Sequence, residues 1–195
     1  MRLLIAMPCY QHIEPDCFKS VYGLQRVPDW DYLLEIYRGY GVQHARTLAM
    51  ADAINGGFDK LLFVDSDIIL PSDTVPRLMA LESAIATGWY IRKQSTTGET
   101  ELFFFDNGAN HFVNINSSEF TGGSKTIAGC GMGCCLIDIP AITPHYGRSW
   151  LEYIIYPDGE RLSEDNNFCW HATHNGLAVK ADTDLKCGHI SRTIL

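Results

Sequence analysis

The segment "KLLFVDSDIILP", Lys60 to Pro71, breaks an apolar run with two aspartates one residue apart. Two carboxylates held close together repel each other unless a cation lies beside them. A hard divalent cation takes one or two protein carboxylates and completes its shell with water and substrate phosphates. Asp65 and Asp67 are therefore a candidate metal-binding pair, although the spacing also fits two solvated acids in a strand-to-helix loop. A second acidic pair, Glu164 and Asp165, follows Ser163 in "SEDNNFCWHATHNG". Acids in a first helical turn are favoured by the helix dipole and Ser163 is a good cap, so this pair fits a plain helix start. It equally fits a general base and its neighbour. Arg46 suits a phosphate, a carboxylate or an open helix face, and Arg92 and Lys93 suit phosphate or solvent. The glycines of "GCGMG", residues 129–133, would let backbone approach a ligand closely or make a tight turn. Cys169, His171 and His174 have metal-ligating chemistry, but no second ligand pair follows them.

Something must hold these groups in place. "RLLIAMP" and "KLLFV" are short continuous apolar runs that read as buried strands, and "DYLLEIYRG" as another. Val42, Ala45, Leu48, Ala49 and Ala53 recur at helical spacing, and "NGG" at 55–57 stops that helix. After Pro71, Ser72 or Asp73 can cap a helix carrying Val75, Leu78, Met79, Leu81 and Ile85 up to Gly88, with a strand in "GWYIRK" beyond it. Strand–helix alternation predicts an α/β fold with a mostly parallel central sheet flanked by helices. Residues 94–126, polar but interrupted by "ELFFF" and "HFVNI", read as a hairpin-like excursion. "CCLIDIP" reads as a return to the core, "SEDNNFCWHATHNG" as a helix, and the tail as a closing strand. In an open α/β sheet ligands bind at the carboxyl ends of the strands, which puts Asp65, Ser66 and Asp67 on that rim.

The 195 residues suit a single domain, and no linker or repeat divides them. A net charge of −8 supplies no global basic field, so a nucleic-acid partner is disfavoured. No apolar run is long enough to cross a bilayer, and the N-terminal run is too short for a signal peptide. Seven cysteines, an odd number with two adjacent, read as buried reduced thiols of a cytoplasmic protein.

"FVDSDIILPSDTVPRL" resembles the Asp-x-Asp segment of GT-A (Rossmann-like) glycosyltransferases, particularly the family-2-like enzymes. Three further stretches agree in order. "MPCY" is similar to the Pro-containing strand end where that family's nucleotide site begins, and "GVQHARTLAMADA" to its Ala-Arg-Asn helix, with Thr47 in place of Asn. "AGCGMGCCLID" with "LSEDNNFCWHATHNG" resembles its glycine-rich strand and acidic motif. The resemblance leaves out roughly 94–126. It implies a metal-dependent transfer of a sugar from a nucleotide-sugar donor, most naturally a UDP- or GDP-sugar, to an acceptor hydroxyl on a glycan, lipid-linked sugar, protein or hydroxylated nucleobase. By the same likeness Asp67 and His189 would hold Mn²⁺ or Mg²⁺. Pro8, Tyr10, Glu35, Arg46, Asp65, Ser66 and Gly131 would contact the nucleotide sugar. Asp165 would be the general base, with Glu164 beside it contacting the acceptor. Residues 1–93 would form mainly the donor half and 94–195 mainly the acceptor half, with loops at 94–126 and 143–162 shaping the acceptor site. Where the family has an Asp-Asp-Gly-Ser-like segment, this chain reads "EIYRGYG", so Glu35 is a partial substitute. Two rivals share the scaffold: a non-catalytic nucleotide- or glycan-binding module, and a sugar-1-phosphate nucleotidyltransferase. The second should carry an Arg-containing glycine-rich loop after the first strand, which "MPCYQHIEPD" lacks.

Overall fold

The structure, a computed structural model, describes residues 1–108, 110–157, 159 and 161–191. In chain order the first half supplies β1 (Arg2–Cys9), α1 (Pro15–Tyr22), β2 (Asp31–Arg38), α2 (Val42–Asn55), β3 (Lys60–Val64), β4 (Ile68–Ile69), α3 (Thr74–Met79) and β5 (Ile85–Trp89). The second supplies β6 (Glu99–Asp106), β7 (His111–Asn116), β8 (Ser124–Thr126), β9 (Gly129–Cys130), β10 (Cys134–Asp138), α4 (Ile139–Ile142), β11 (Ile154–Ile155), β12 (Arg161–Leu162), α5 (Glu164–His174), β13 (Val179–Lys186) and β14 (Gly188–His189).

Seven strands form the main sheet in the order β2-β1-β3-β10-β5-β13-β8. Side chains alternate across a strand, so a strand buried on both faces needs a continuous apolar run. In β1 and β3 this separates Leu4, Ala6, Leu61 and Phe63 from Leu3, Ile5, Leu62 and Val64. The first set packs under α2 and α5, the second under α1 and α3. On α2 the buried stripe is Ala45, Arg46, Ala49, Met50 and Ala53, and its small residues bring the helix close to the sheet. All seven cysteines are free and buried. Among the described residues no helix is long and apolar enough to cross a membrane.

Five of the seven strands, β2, β1, β3, β5 and β13, run the same way, but the sheet is partly antiparallel, because β10 runs against both β3 and β5, and β8 against β13. β10 enters at the rim where β3 leaves, with Cys134 opposite Val64, and so must run back down the sheet. The helix expected up to Gly88 stops at Met79. Glu82 turns the chain with φ 46°, and β-branched Ile85 and Thr87 then enter the sheet as the fully buried β5. The excursion at 94–126 contains the expected hairpin, β6 against β7, and β9 pairs with β6 on its other side.

Candidate active site

β3 delivers Asp65, Ser66 and Asp67 to the carboxyl rim, where the Ile68 N–H bonds to the Asp65 carbonyl at 3.1 Å and closes a turn. The turn sends the two carboxylates to different partners. Asp65 Oδ1 accepts from Arg46 Nη2 at 2.8 Å. The other arm of the same guanidinium donates to Glu164 Oε1 at 2.5 Å. Arg46 is only 3% exposed and Glu164 7%, so one buried cation joins the end of β3 to the start of α5. Burial opposes the Arg46 charge, yet the neighbouring Asp65 and Glu164 carboxylates hold its pKa above the ordinary value. Burial pushes the Glu164 carboxyl up, and Arg46 pulls it back. Glu164 therefore faces Arg46 from a buried position rather than an open acceptor site.

Asp67 turns toward the C-terminal tail. β14 pairs antiparallel with β4, His189 opposite Ile68, and the Ile190 N–H bonds to the Asp67 carbonyl at 2.9 Å. His189 Nε2 then lies 3.8 Å from Asp67 Oδ1, while its Nδ1 is 2.8 Å from the Ile91 carbonyl. A backbone acceptor at Nδ1 takes the ring proton there and leaves the Nε2 lone pair toward Asp67. A carboxylate oxygen and an imidazole lone pair on one side of an open rim fit Mn²⁺ or Mg²⁺, which keep several waters and substrate phosphates in their shell. Among the described residues no group of three or more His, Cys, Asp or Glu forms a closed metal cage. Lys93 Nζ contacts Asp67 Oδ2, so a cation already sits on the other carboxylate oxygen.

Three adjoining cavities form one groove along this rim. The first, about 410 Å³, lies between Tyr10–Glu14, Ser66–Asp67, Lys93–Gln94 and Ile190–Ser191. The second, about 310 Å³, holds Asp65, Asp67, His189, Gly131, Glu101 and Asp165. The third, about 680 Å³, is lined by Phe103, Phe105, Phe112, Tyr153, Tyr156 and Trp170, with Asn114 and Arg161 among its polar groups. Tyr10, Ser66, Asp65, Gly131, Asp67, His189 and Asp165 thus come together. Pro8 does not, being buried within β1 opposite Tyr37. Glu35 is exposed on the edge strand β2, opposite Ala6 and back from the strand end, and lines none of the three cavities.

Asp165 sits at the first turn of α5, where its Oδ1 accepts from the Ser163 hydroxyl and from the Asn166 N–H at 2.8 Å. Ser163 is the capping residue, but its hydroxyl serves Asp165 and not the helix backbone. Glu101 on β6 was not anticipated. Burial first, then the Asp165 charge, pushes its carboxyl up to about 7, against the pull of Arg92. In the sequence nothing separates Glu101 from Glu99; only the fold half-covers the first and leaves the second exposed.

No family model matches the sequence, and no curated protein matches it. Solved structures do. The crystal structure of A197 from STIV aligns with TM-score 0.64 at 20% identity, over 98% of this chain and 87% of that one. GalNAc-T7, crystallised with UDP, GalNAc and Mn²⁺, aligns with TM-score 0.63 at 11% identity. That match covers 96% of this chain and 44% of GalNAc-T7, so the chain spans less than half of that protein. This is a GT-A-like fold. The glycine-rich stretch of the GT-A-like rim has a packing reason of its own. A Cβ on Gly131 would stand 2.5 Å from the Tyr90 hydroxyl, and one on Gly133 2.7 Å. Tyr90 is fully enclosed, accepts the Gly133 N–H at 3.0 Å and meets His189 edge-on at 5.1 Å. Gly131→Ala should therefore cost about 1–3 kcal/mol through overpacking, read as a lower melting temperature. Tyr90→Phe in the same chain should recover part of it by removing the clashing oxygen.

Proposed function

We propose that the protein is a metal-dependent glycosyltransferase that moves a sugar from a nucleotide-sugar donor to an acceptor hydroxyl. The observation that carries this reading is the Asp67–His189 pair at the strand-end rim, with Asp165 in the same cavity. Asp67 and His189 would hold Mn²⁺ or Mg²⁺. When bound, the ion acts as a Lewis acid on the departing diphosphate. Asp65 and Ser66 would contact the nucleotide sugar, and Tyr10 offers an exposed ring at the entrance of the first cavity. Arg46, locked between Asp65 and Glu164, would orient Asp65 rather than touch phosphate, and Glu164 becomes a positioning residue. Asp165, with Oδ2 outside its two hydrogen bonds, would take the acceptor proton.

The expected acceptor loops at 94–126 and 143–162 both line the third cavity. Its flat aromatic faces beside amides, guanidiniums and carboxylates suit a hydroxylated, largely neutral acceptor such as a glycan. Arg92 and Arg161 stand in that cleft beside Glu101 and Asp165, so the basic groups of its lining are offset by acidic ones. GalNAc-T7 is a precedent for UDP, GalNAc and Mn²⁺ on this fold. The test is hydrolysis of a panel of UDP- and GDP-sugars with Mn²⁺ or Mg²⁺. Metal-stimulated release of the nucleoside diphosphate from at least one donor is expected. No turnover and no metal-dependent thermal shift with any donor would falsify the reading and favour a binding module.

A further inference from the structure

The cavity at Asp67 and His189 and the aromatic cleft share Arg92, Glu101 and Asp165. In the glycosyltransferase reading, on which this inference rests, that junction is where the acceptor hydroxyl meets the donor sugar. We propose that Glu101 is a second catalytic carboxylate of the transfer, forming with Asp165 the pair that takes the acceptor's proton.

Glu101 is placed too firmly for a chance surface acid. Its N–H donates to the Tyr90 carbonyl at 3.2 Å and its carbonyl accepts the Gly131 N–H at 2.7 Å, so the backbone is pinned on both sides. The side chain is 25% exposed, and among the described residues no hydrogen-bond donor reaches its carboxyl. Its nearest cation is Arg92, with Nε 4.0 Å away and that guanidinium also bonded to Asn114. A half-buried carboxyl without a donor costs stability, and such groups collect where a proton must be handled. The charges facing it come from every neighbouring element. They are Asp165 at the start of α5, Asp65 after β3 and Arg92 after β5, with Asp67, Lys93 and His189 across the same cavity.

The two carboxyls have different surroundings. Asp165 accepts two hydrogen bonds, whereas Glu101 accepts none and faces the Asp165 charge. Neighbouring carboxyls in such unequal surroundings can divide acid and base work. In the step, the acceptor O–H bond breaks and its proton passes to the Glu101–Asp165 pair, finishing on Glu101. The freed oxygen pair forms the bond to the anomeric carbon, and the anomeric C–O pair leaves with the diphosphate. A base that titrates near 7 carries this proton with more driving force than an ordinary carboxylate.

Two measurements test it. In protein labelled with ¹³C at the glutamate carboxyls, the signal lost in Glu101→Gln should titrate near pH 7 and move to lower pH in Asp165→Asn. A midpoint in the ordinary carboxylate range, or one indifferent to Asp165→Asn, overturns the pairing. In hydrolysis of UDP-hexoses with Mn²⁺, Glu101→Gln should lower kcat about 10²-fold, leave donor KM unchanged and abolish the limb of the pH profile near 7. The same variant should melt above wild type at pH 8 and level with it at pH 4, which shows that it folds. Wild-type turnover with an unchanged Glu101→Gln overturns the base role alone. A wild type that neither binds nor hydrolyses any donor overturns the transferase reading, and the base role with it.

Discussion

Asp67→Asn is expected to abolish metal-stimulated donor turnover, with a loss of about 10³-fold, and to weaken Mn²⁺ binding by at least about tenfold. The magnitude follows from what the ion supplies: Lewis-acid stabilisation of a departing diphosphate is a matter of several kcal/mol, and about 4 kcal/mol is 10³ in rate. Asn keeps the shape of the side chain but loses the anionic oxygen that faces His189 Nε2 at 3.8 Å. The backbone around it should survive, because β14 is held to β4 by main-chain pairing and by Ile190 N–H on the Asp67 carbonyl. Lys93 gives the contrast. Its ammonium shares the Asp67 carboxylate, so it competes with an incoming ion for the same charge. Lys93→Gln should therefore tighten Mn²⁺ binding in calorimetry, while Asp67→Asn loosens it. Equal Mn²⁺ affinity in wild type and Asp67→Asn would remove Asp67 from the metal site.

The rim was legible in the sequence because its logic is local. An apolar strand followed by Asp-Ser-Asp must leave the sheet at its carboxyl end, and "KLLFV" does so as β3. The helix at 42–55 and the hairpin near 99–116 were also readable, from period and from turn residues. What failed depended on long-range pairing. Ile85 fits the helical stripe of Val75 and Leu78, yet it enters the sheet because β10 and β13 supply partners on both sides. The direction of β10 is likewise set by where the glycine turn at 131–133 meets β3, which no residue of "CCLID" encodes. At the site, the proposed halves interleave. Asp67 from one meets His189 from the other, and Arg46 from one meets Glu164 from the other. Residue type marked Glu164 as acidic chemistry, but only the fold shows it spent on a buried arginine. Glu101 was invisible for the complementary reason: it lies in the segment outside the family resemblance and reaches the groove through a hairpin.

The largest effect on stability is expected at Arg46. Its guanidinium places one arm on Asp65 and the other on Glu164, and its side chain is 4% exposed. Replacing both carboxylates together with the arginine by apolar groups could be nearly neutral, because a buried ion cluster carries a heavy desolvation cost. Arg46→Met alone is different, since it leaves two carboxylates uncompensated, and breaking a buried pair from one side costs about 3–5 kcal/mol. Arg46→Lys should fall between, because an ammonium is a single point charge that cannot fork to two acceptors. The pH dependence has a definite sign. Burial already pushes the Glu164 carboxyl up, and loss of the arginine removes the charge that pulls it back. In Arg46→Met the folded-state pKa of Glu164 therefore lies further above its unfolded value. The penalty is full above that folded value and disappears below the unfolded one, where the carboxyl is neutral in both states. Urea melts at pH 8 and pH 5 should show the Arg46→Met deficit shrinking as the pH falls, and Glu164→Gln in the same chain should flatten that dependence. A deficit equal at pH 8 and pH 5 would show that Arg46 stabilises the fold through packing of its stem and not through the two carboxylates.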